Sequence, residues 1–277
     1  MPGYQTKQET IAVAGVADLF IRSLRDRQQF ADPLGTAGRL GISSAAWPLF
    51  GLLWPSGAHL AARLALRPVT PGERILEIGC GLALPSLVAH RRGADVTASD
   101  CHPLAGAFLR ENLRLNQLLP MKYRHGHWRA PLPPLPPPLL PLLPLLPPLS
   151  PKATLAPQLP LPPPFSPPAA PPLDALVAGR FDLVIGSDLL YERDAHGSLA
   201  AFIALHATAA AEVWIVDPDR GNRPAFNRQM ADQGFDRQEQ RLGSAQPPGA
   251  PAGPPYKGRL LVYRRSAAVP AADQLVD

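Results

Sequence analysis

Three acidic residues in this chain stand at or near the ends of apolar runs, where a strand would open onto a ligand. The stretch "ILEIGCGLALPS", Ile75 to Ser86, carries Glu77 two residues before Gly79, and Gly81 follows two residues later. A strand that runs into closely spaced glycines and then a helix places a ligand at the carboxyl ends of the strands. Glycine turns tightly there and puts no Cβ between backbone and ligand. Nineteen residues after Gly81 the run "DVTASD" ends in Asp100, and a carboxylate at that point can accept hydrogen bonds from both ribose hydroxyls. The run "FDLVIGSDLLYE" brings Ser187 and Asp188 to a third strand end, with Tyr191 three residues beyond.

The ligand is narrowed by what is missing. A dinucleotide fingerprint needs glycine at position 84, which is Leu84 here. Glu77, inside the first strand's end, suits a ligand with a cationic amino acid end and repels a pyrophosphate. Adenosine joined to a cationic amino acid describes S-adenosylmethionine. At the third strand end, Asp188 can orient an approaching amine and help remove its proton, while the Tyr191 ring walls the channel and stacks on a cation. Each feature also has a purely structural reading. The glycine pair can be a plain tight turn, Asp100 a helix cap, and Asp188 a cap for the next turn with Tyr191 packed on the sheet.

Other reactive residues carry less. His125 and His127 lack a third metal ligand at a usable spacing and read as a loop pair, so no metal is expected. Cys80 reads as a small packing residue, Asp217 as a strand-end cap, and the pairs Arg91–Arg92 and Arg264–Arg265 as solvated faces. The two cysteines argue against a disulfide framework and suit a reducing compartment. The polar start "MPGYQTKQET" does not read as a signal peptide, and Pro48, Pro55, His59 and Arg63 interrupt the apolar residues 42–66 that might otherwise span a membrane. A cytoplasmic location without membrane contact is expected. The net charge of +5 comes with no Lys/Arg cluster interleaved with aromatics, which argues against nucleic acid as a partner.

The elements that must position these residues follow from alternation of short apolar runs with helical patterns, the mark of an α/β fold. Strands are expected over 74–79, 95–100, 122–126, 181–188, 212–217, 236–241 and 259–264, and helices over 85–92, 103–116, 198–210 and 224–233. Ser56 is expected to cap a further helix through Leu66, and periodicity suggests helix over 11–30. The chain divides into an N-terminal helical extension (1–46), a main domain (47–265) and a flexible tail (266–277).

Inside the main domain, residues 131–172 hold 20 of the 37 prolines. The 19 apolar residues of "PLPPLPPPLLPLLPLLPPL" cannot form a membrane helix, because proline removes backbone donors and clashes with the preceding turn. The segment reads as a disordered insertion in a surface loop, and "LPPPF" would suit a proline-recognising partner. Replacing it by a short Gly/Ser link should leave the melting temperature within a few degrees, since it lacks the periodicity of a core element. A large loss of stability on thermal denaturation would show instead that it packs on the domain.

Taken together, "ILEIGCGLALPS", "VTASD", "HGHW", "FDLVIGSDLLYE" and "VWIVDPDR" resemble a class I, seven-β-strand, S-adenosylmethionine-dependent methyltransferase. With "LLWPSGAHLA" upstream, the chain resembles the protein-lysine methyltransferase branch that includes the enzyme acting on the electron-transfer flavoprotein β-subunit and small bacterial relatives. The resemblance implies a Rossmann-like, mostly parallel sheet with an antiparallel last strand and helices on both faces. It implies that Gly79 and Gly81 pass under the methionine moiety, that Asp100 holds the ribose, and that Trp54 and Trp128 line the cofactor pocket. Ser187 and Asp188 would face the reacting end, and a lysine side chain of a protein would be the acceptor. Two departures are visible: the family's acid before Trp128 is His127, and its third glycine is Ala83.

Overall fold

The structure is a computed structural model and describes residues 3–128, 176–243 and 256–265. In chain order the elements are β1 (Thr6–Ile11), β2 (Leu19–Leu24), α1 (Thr36–Arg39), a 3-10 turn (Trp47–Gly51), α2 (Pro55–Leu66), β3 (Arg74–Ile78), α3 (Leu84–Arg91), β4 (Asp95–Asp100), α4 (Ala105–Leu115), β5 (Lys122–His125), β6 (Phe181–Ser187), α5 (Ser198–His206), β7 (Ala207–Asp217), α6 (Arg223–Asp232), β8 (Phe235–Leu242) and β9 (Gly258–Arg265). The last seven strands form one sheet in the order β5-β4-β3-β6-β7-β9-β8. Its central strands are parallel and read as continuous apolar runs, as strands covered on both faces must. β9 runs antiparallel to both β7 and β8.

Helices cover both faces. Leu60 of α2, Leu87 of α3 and Leu109 of α4 share one core, and Ile203 of α5 and Met230 of α6 share the other. The chain winds outward from β3 through β4 to β5, then returns to lay β6 on the opposite side of β3. At such a reversal the loops diverge and leave a crevice at the strands' carboxyl ends. This is the Rossmann-like arrangement expected, and the boundaries of most elements fall within a residue or two of those read from the sequence.

The N-terminal segment differs. The helix expected over residues 11–30 is not formed; β1 and β2 make an antiparallel hairpin instead. "LFIRSL" alternates with period two, so Leu19, Ile21 and Ser23 point inward while Phe20 is exposed, and Gly15 turns the chain at φ 89°. Asn112 in α4 and Asn116 at its end secure the outer edge of β2. Asn116 Oδ1 accepts from the Phe20 N–H (2.9 Å), its Nδ2 donates to the Phe20 carbonyl (2.7 Å), and Asn112 Oδ1 accepts from the Arg22 N–H (2.8 Å). The edge is thereby closed to further pairing.

Two smaller expectations also change. Ser56 does not cap α2: Trp54 occupies the cap position, Pro55 begins the helix, and the Ser56 hydroxyl lies 2.9 Å from the Tyr256 hydroxyl. α5 stops at His206, because Ala207 turns extended and pairs with Phe181. Sheet pairing overrides the helix preference of the alanine run there. The proline-rich residues 131–172 and the tail 266–277 lie outside the described residues. Among the described residues, no helix is long and apolar enough to cross a membrane.

Candidate active site

A cavity of about 720 Å³ opens at the reversal between β3 and β6. Gly79, Gly81, Asp100, Trp54, Trp128, Ser187, Asp188 and Tyr191 all line it, so the fold gathers every site residue read from the sequence except one.

The exception is Glu77. Strand alternation puts it on the same face of β3 as Ile75, beneath α3, where it is 1% exposed. There its Oε2 accepts from the Ser86 N–H (2.9 Å) and from the Ser86 hydroxyl. Glu77 therefore ties the start of α3 to β3 and does not line the cavity, a correction to its expected contact with the ligand. Burial pushes its carboxyl up to about 8 against Ser86 hydrogen bonds that act the other way. Between 4.5 and about 8 the folded protein then holds a proton that the unfolded chain has lost, so stability falls as pH rises through that window. Glu77→Gln keeps an acceptor for Ser86 without an ionisable group. Its melting temperature should vary less than that of the wild type between pH 5 and 9, and an unchanged pH dependence would count against this role.

The glycine turn is left-handed at three alternate residues: Gly79 (φ 58°), Gly81 (φ 52°) and Ala83 (φ 58°). Ala83 thus takes the backbone a third glycine would take, at a modest conformational cost. A Cβ on Gly81 would lie 2.7 Å from the Phe50 carbonyl oxygen, and one on Gly79 would lie 2.5 Å from Leu189 and 3.4 Å from Trp128. The side of each glycine where a Cβ would stand is therefore packed against protein. Cys80 is buried within the turn, and burial beside Asp100 and Glu77 pushes its thiol well up, which makes it a packing group.

Asp100 ends β4 with its carboxylate at the cavity. Oδ2 accepts from the Gly81 N–H and Oδ1 from the His102 N–H, each at 2.8 Å. It is not the helix cap of its structural reading, since Leu104 holds the cap position of α4; it ties the glycine turn to the loop after β4 at the cavity wall. Burial raises its pKa despite these bonds, so further donors at the carboxylate would stabilise the anion. His102 is a site residue that sequence reasoning missed. Its ring stacks on Phe50 (3.7 Å between centroids, 11°) with Trp47 edge-on at 5.4 Å. Burial pushes its pKa down to about 3, and Nδ1 accepts from the Leu104 N–H, which leaves the proton on a buried Nε2 that has no partner among the described residues.

The other wall comes from β6 and β7. Asp188 adopts a left-handed backbone (φ 58°), fixed by its N–H to the Val216 carbonyl at 2.9 Å. Its Oδ1 accepts from Nη2 (2.6 Å) and Nε (3.2 Å) of Arg220, which also lines the cavity. Tyr191 is 46% exposed at the rim of the cavity. Trp54 is held by its indole N–H to the Leu49 carbonyl (2.9 Å), with the Arg27 guanidinium 5.0 Å over the ring. Trp128 meets Phe202 edge-on.

No protein-family model matches the chain. Over 76 residues it is 36% identical to the electron transfer flavoprotein beta subunit lysine methyltransferase of Danio rerio, a stretch that covers 27% of this chain and 30% of that protein. Over 49 residues it is 47% identical to a histone-arginine methyltransferase of Rattus norvegicus, covering 17% of this chain and 22% of that one. The matches thus span less than a third of either relative's length. Among solved structures, the 16S ribosomal RNA N2 G1207 methyltransferase of T. thermophilus, in complex with AdoMet and guanosine, aligns with a TM-score of 0.50 and 16% identity, over 95% of this chain and 51% of that one. Sheet order, reversal point and structural likeness agree: the chain has the Rossmann-like, seven-strand fold of the class I methyltransferases.

Proposed function

We propose that this protein is an S-adenosylmethionine-dependent methyltransferase whose acceptor is a lysine side chain of a protein. The observation that carries the reading is one cavity, at the sheet's reversal point, that joins a buried ribose-type carboxylate (Asp100) to a second carboxylate (Asp188) across the glycine turn. The residues fit an adenosyl ligand. The volume lies in the usual range of ~300–1,000 Å³ for small-molecule sites. Asp100 can take hydroxyl donors, and Trp54 and Trp128 offer aromatic surface. The activities for which the partial relatives are named, on a flavoprotein lysine and on histone arginine, support a protein acceptor.

Asp100, Trp54 and Trp128 would hold the cofactor, which would supply a sulfonium methyl to the acceptor nitrogen's lone pair and leave as a neutral thioether. The chain's residues must then present a neutral amine, since the unperturbed lysine pKa is ~10.4. Asp188 accepts an N–H of that amine and aims its lone pair, and the released proton passes to Asp188 Oδ2 and on to water at the cavity mouth. Tyr191 walls the acceptor channel at the rim. Alignment of this kind can account for about 7–11 kcal/mol of barrier.

Radiolabelled S-adenosylmethionine incubated with the purified chain and a fractionated lysate tests the reading. Label should appear in protein and survive hydrolysis as methyl-lysine. Label in methyl-arginine would move the acceptor, label in nucleic acid or small metabolites would change its class, and cofactor binding with no turnover would leave a binding module.

A further inference from the structure

Arg220 stands where a site built for a cationic acceptor would not be expected to place a cation. It lies in the loop between β7 and α6, its backbone N–H is fixed by Asp217 Oδ2 at 2.8 Å, and its guanidinium reaches Asp188 in the cavity wall. Both guanidinium contacts fall on a single oxygen, Asp188 Oδ1. Oδ2 has no hydrogen bond among the described residues and is not sealed from solvent. The Asp188 side chain is 12% exposed and that of Arg220 38%, so the pair is partly shielded from water.

We propose that Arg220 is the positioning residue of the acceptor end: it clamps Asp188 by Oδ1, leaves Oδ2 to receive the acceptor's N–H, and by its fixed charge keeps the acceptor amine neutral. This rests on the methyltransferase reading above. A lone carboxylate would stabilise an ammonium and so raise the acceptor's pKa, whereas a carboxylate already paired with a guanidinium presents a hydrogen-bond acceptor with almost no net charge. The protonated amine is unreactive, so the second arrangement suits the chemistry. Other groups bear on the same point. Tyr191 and Glu192 follow Asp188 in the cavity lining, and Arg27 lines it from the N-terminal segment. Behind the pair lie Asp217 and Tyr256, with His59 stacked on the Tyr256 ring. Burial is the main cause that raises the Asp217 and Tyr256 pKa; Asp188 adds to the rise at each, and Arg220 opposes it. Arg220 therefore bears on both carboxylates, with Arg223 also opposing the rise at Asp217, and no second cation contacts Asp188 among the described residues.

Arg220→Gln keeps a donor but loses the charge, and Arg220→Lys keeps the charge but loses the fork. With the protein fraction of a lysate as acceptor and radiolabelled cofactor, Arg220→Gln should methylate at least roughly tenfold more slowly near neutral pH. The acid limb of its rate profile should move up by about one pH unit, because the acceptor amine regains its affinity for a proton. Arg220→Lys should keep the limb near its wild-type place, added guanidinium should restore part of the rate of Arg220→Ala, and cofactor affinity by calorimetry should stay within roughly twofold in all three. An active wild-type chain whose Arg220→Gln variant keeps its rate and limb overturns this inference alone, as does a loss of rate that follows only the folded fraction by circular dichroism. A wild-type chain that methylates nothing overturns the proposed function, and this inference with it.

Discussion

Asp188→Asn should lower the rate of methyl transfer by roughly 10²-fold or more while cofactor affinity stays nearly unchanged. Asparagine tolerates the left-handed backbone at this position about as well as aspartate, so the variant tests charge and not chain geometry. Its amide oxygen can still take one Arg220 N–H, but the second position is now either a donor or a weaker acceptor for the incoming amine. A capping role would predict lost stability at an unchanged rate. Any such role would concern the short turn after β6, because α5 starts ten residues later and its Leu199 N–H goes to Asp194 Oδ2 at 2.9 Å. Tyr191→Phe should cost less than Tyr191→Ala, since the ring is what walls the rim. Single-turnover rates beside calorimetry of the same samples decide the matter, and a near wild-type rate would remove Asp188 from the reaction.

Asp100→Ala should weaken S-adenosylmethionine binding by one to three decades. Hydrogen bonds to a charged acceptor contribute about 1.5–3 kcal/mol, and each ~1.4 kcal/mol is a decade. The same carboxylate also holds the N–H groups of Gly81 and His102, so alanine loosens the glycine turn as well as the ribose contact. Asp100→Asn separates these effects, because one amide oxygen can keep a backbone donor while the charge is lost. It should bind cofactor more weakly than wild type and better than Asp100→Ala. Unchanged affinity in both, with native circular dichroism, would end the assignment of Asp100 to the cofactor.

The parts of this molecule that were legible in its sequence are those where chemistry and period coincide. β3, β6 and the end of β7 are apolar because both faces of a central parallel strand are covered, and the glycines mark the only left-handed turn that could follow β3. Glu77 was placed in the right strand but on the wrong side of it: counting two residues back from the glycine ignores the alternation that turns it under α3. The N-terminal hairpin was misread because helical spacing can be picked out of "IAVAGVADLFIRSL" while the stricter alternation in "LFIRSL" passes unnoticed. Arg91 and Arg92 read as solvated faces, yet Arg91 donates to the Ala17 carbonyl (2.6 Å) and Arg92 to the carbonyls of Leu64 (2.6 Å) and Arg67. A backbone carbonyl carries no side-chain signature, so such partners leave no trace in a pattern search. Arg220 escaped for a related reason, since Asp188 lies 32 positions away and only the side-by-side ends of β6 and β7 unite them.

The contact between Gly81 and the Phe50 carbonyl has a consequence for how binding energy spreads. The next residue, Gly51, leaves room only for Leu24 of β2, whose side chain fills the place of its missing Cβ. Cofactor turn, 3-10 turn and hairpin are therefore stacked backbone to side chain with no slack between them, and close-packed neighbours of this kind do not open one at a time. Any ligand that holds the Gly79–Gly81 turn in its bound form must also disfavour the opening of the hairpin, by RT ln(1 + [L]/Kd) where the two open together. The amide protons of Leu19–Leu24 would then exchange with solvent at a rate set by occupancy of a cavity they do not touch.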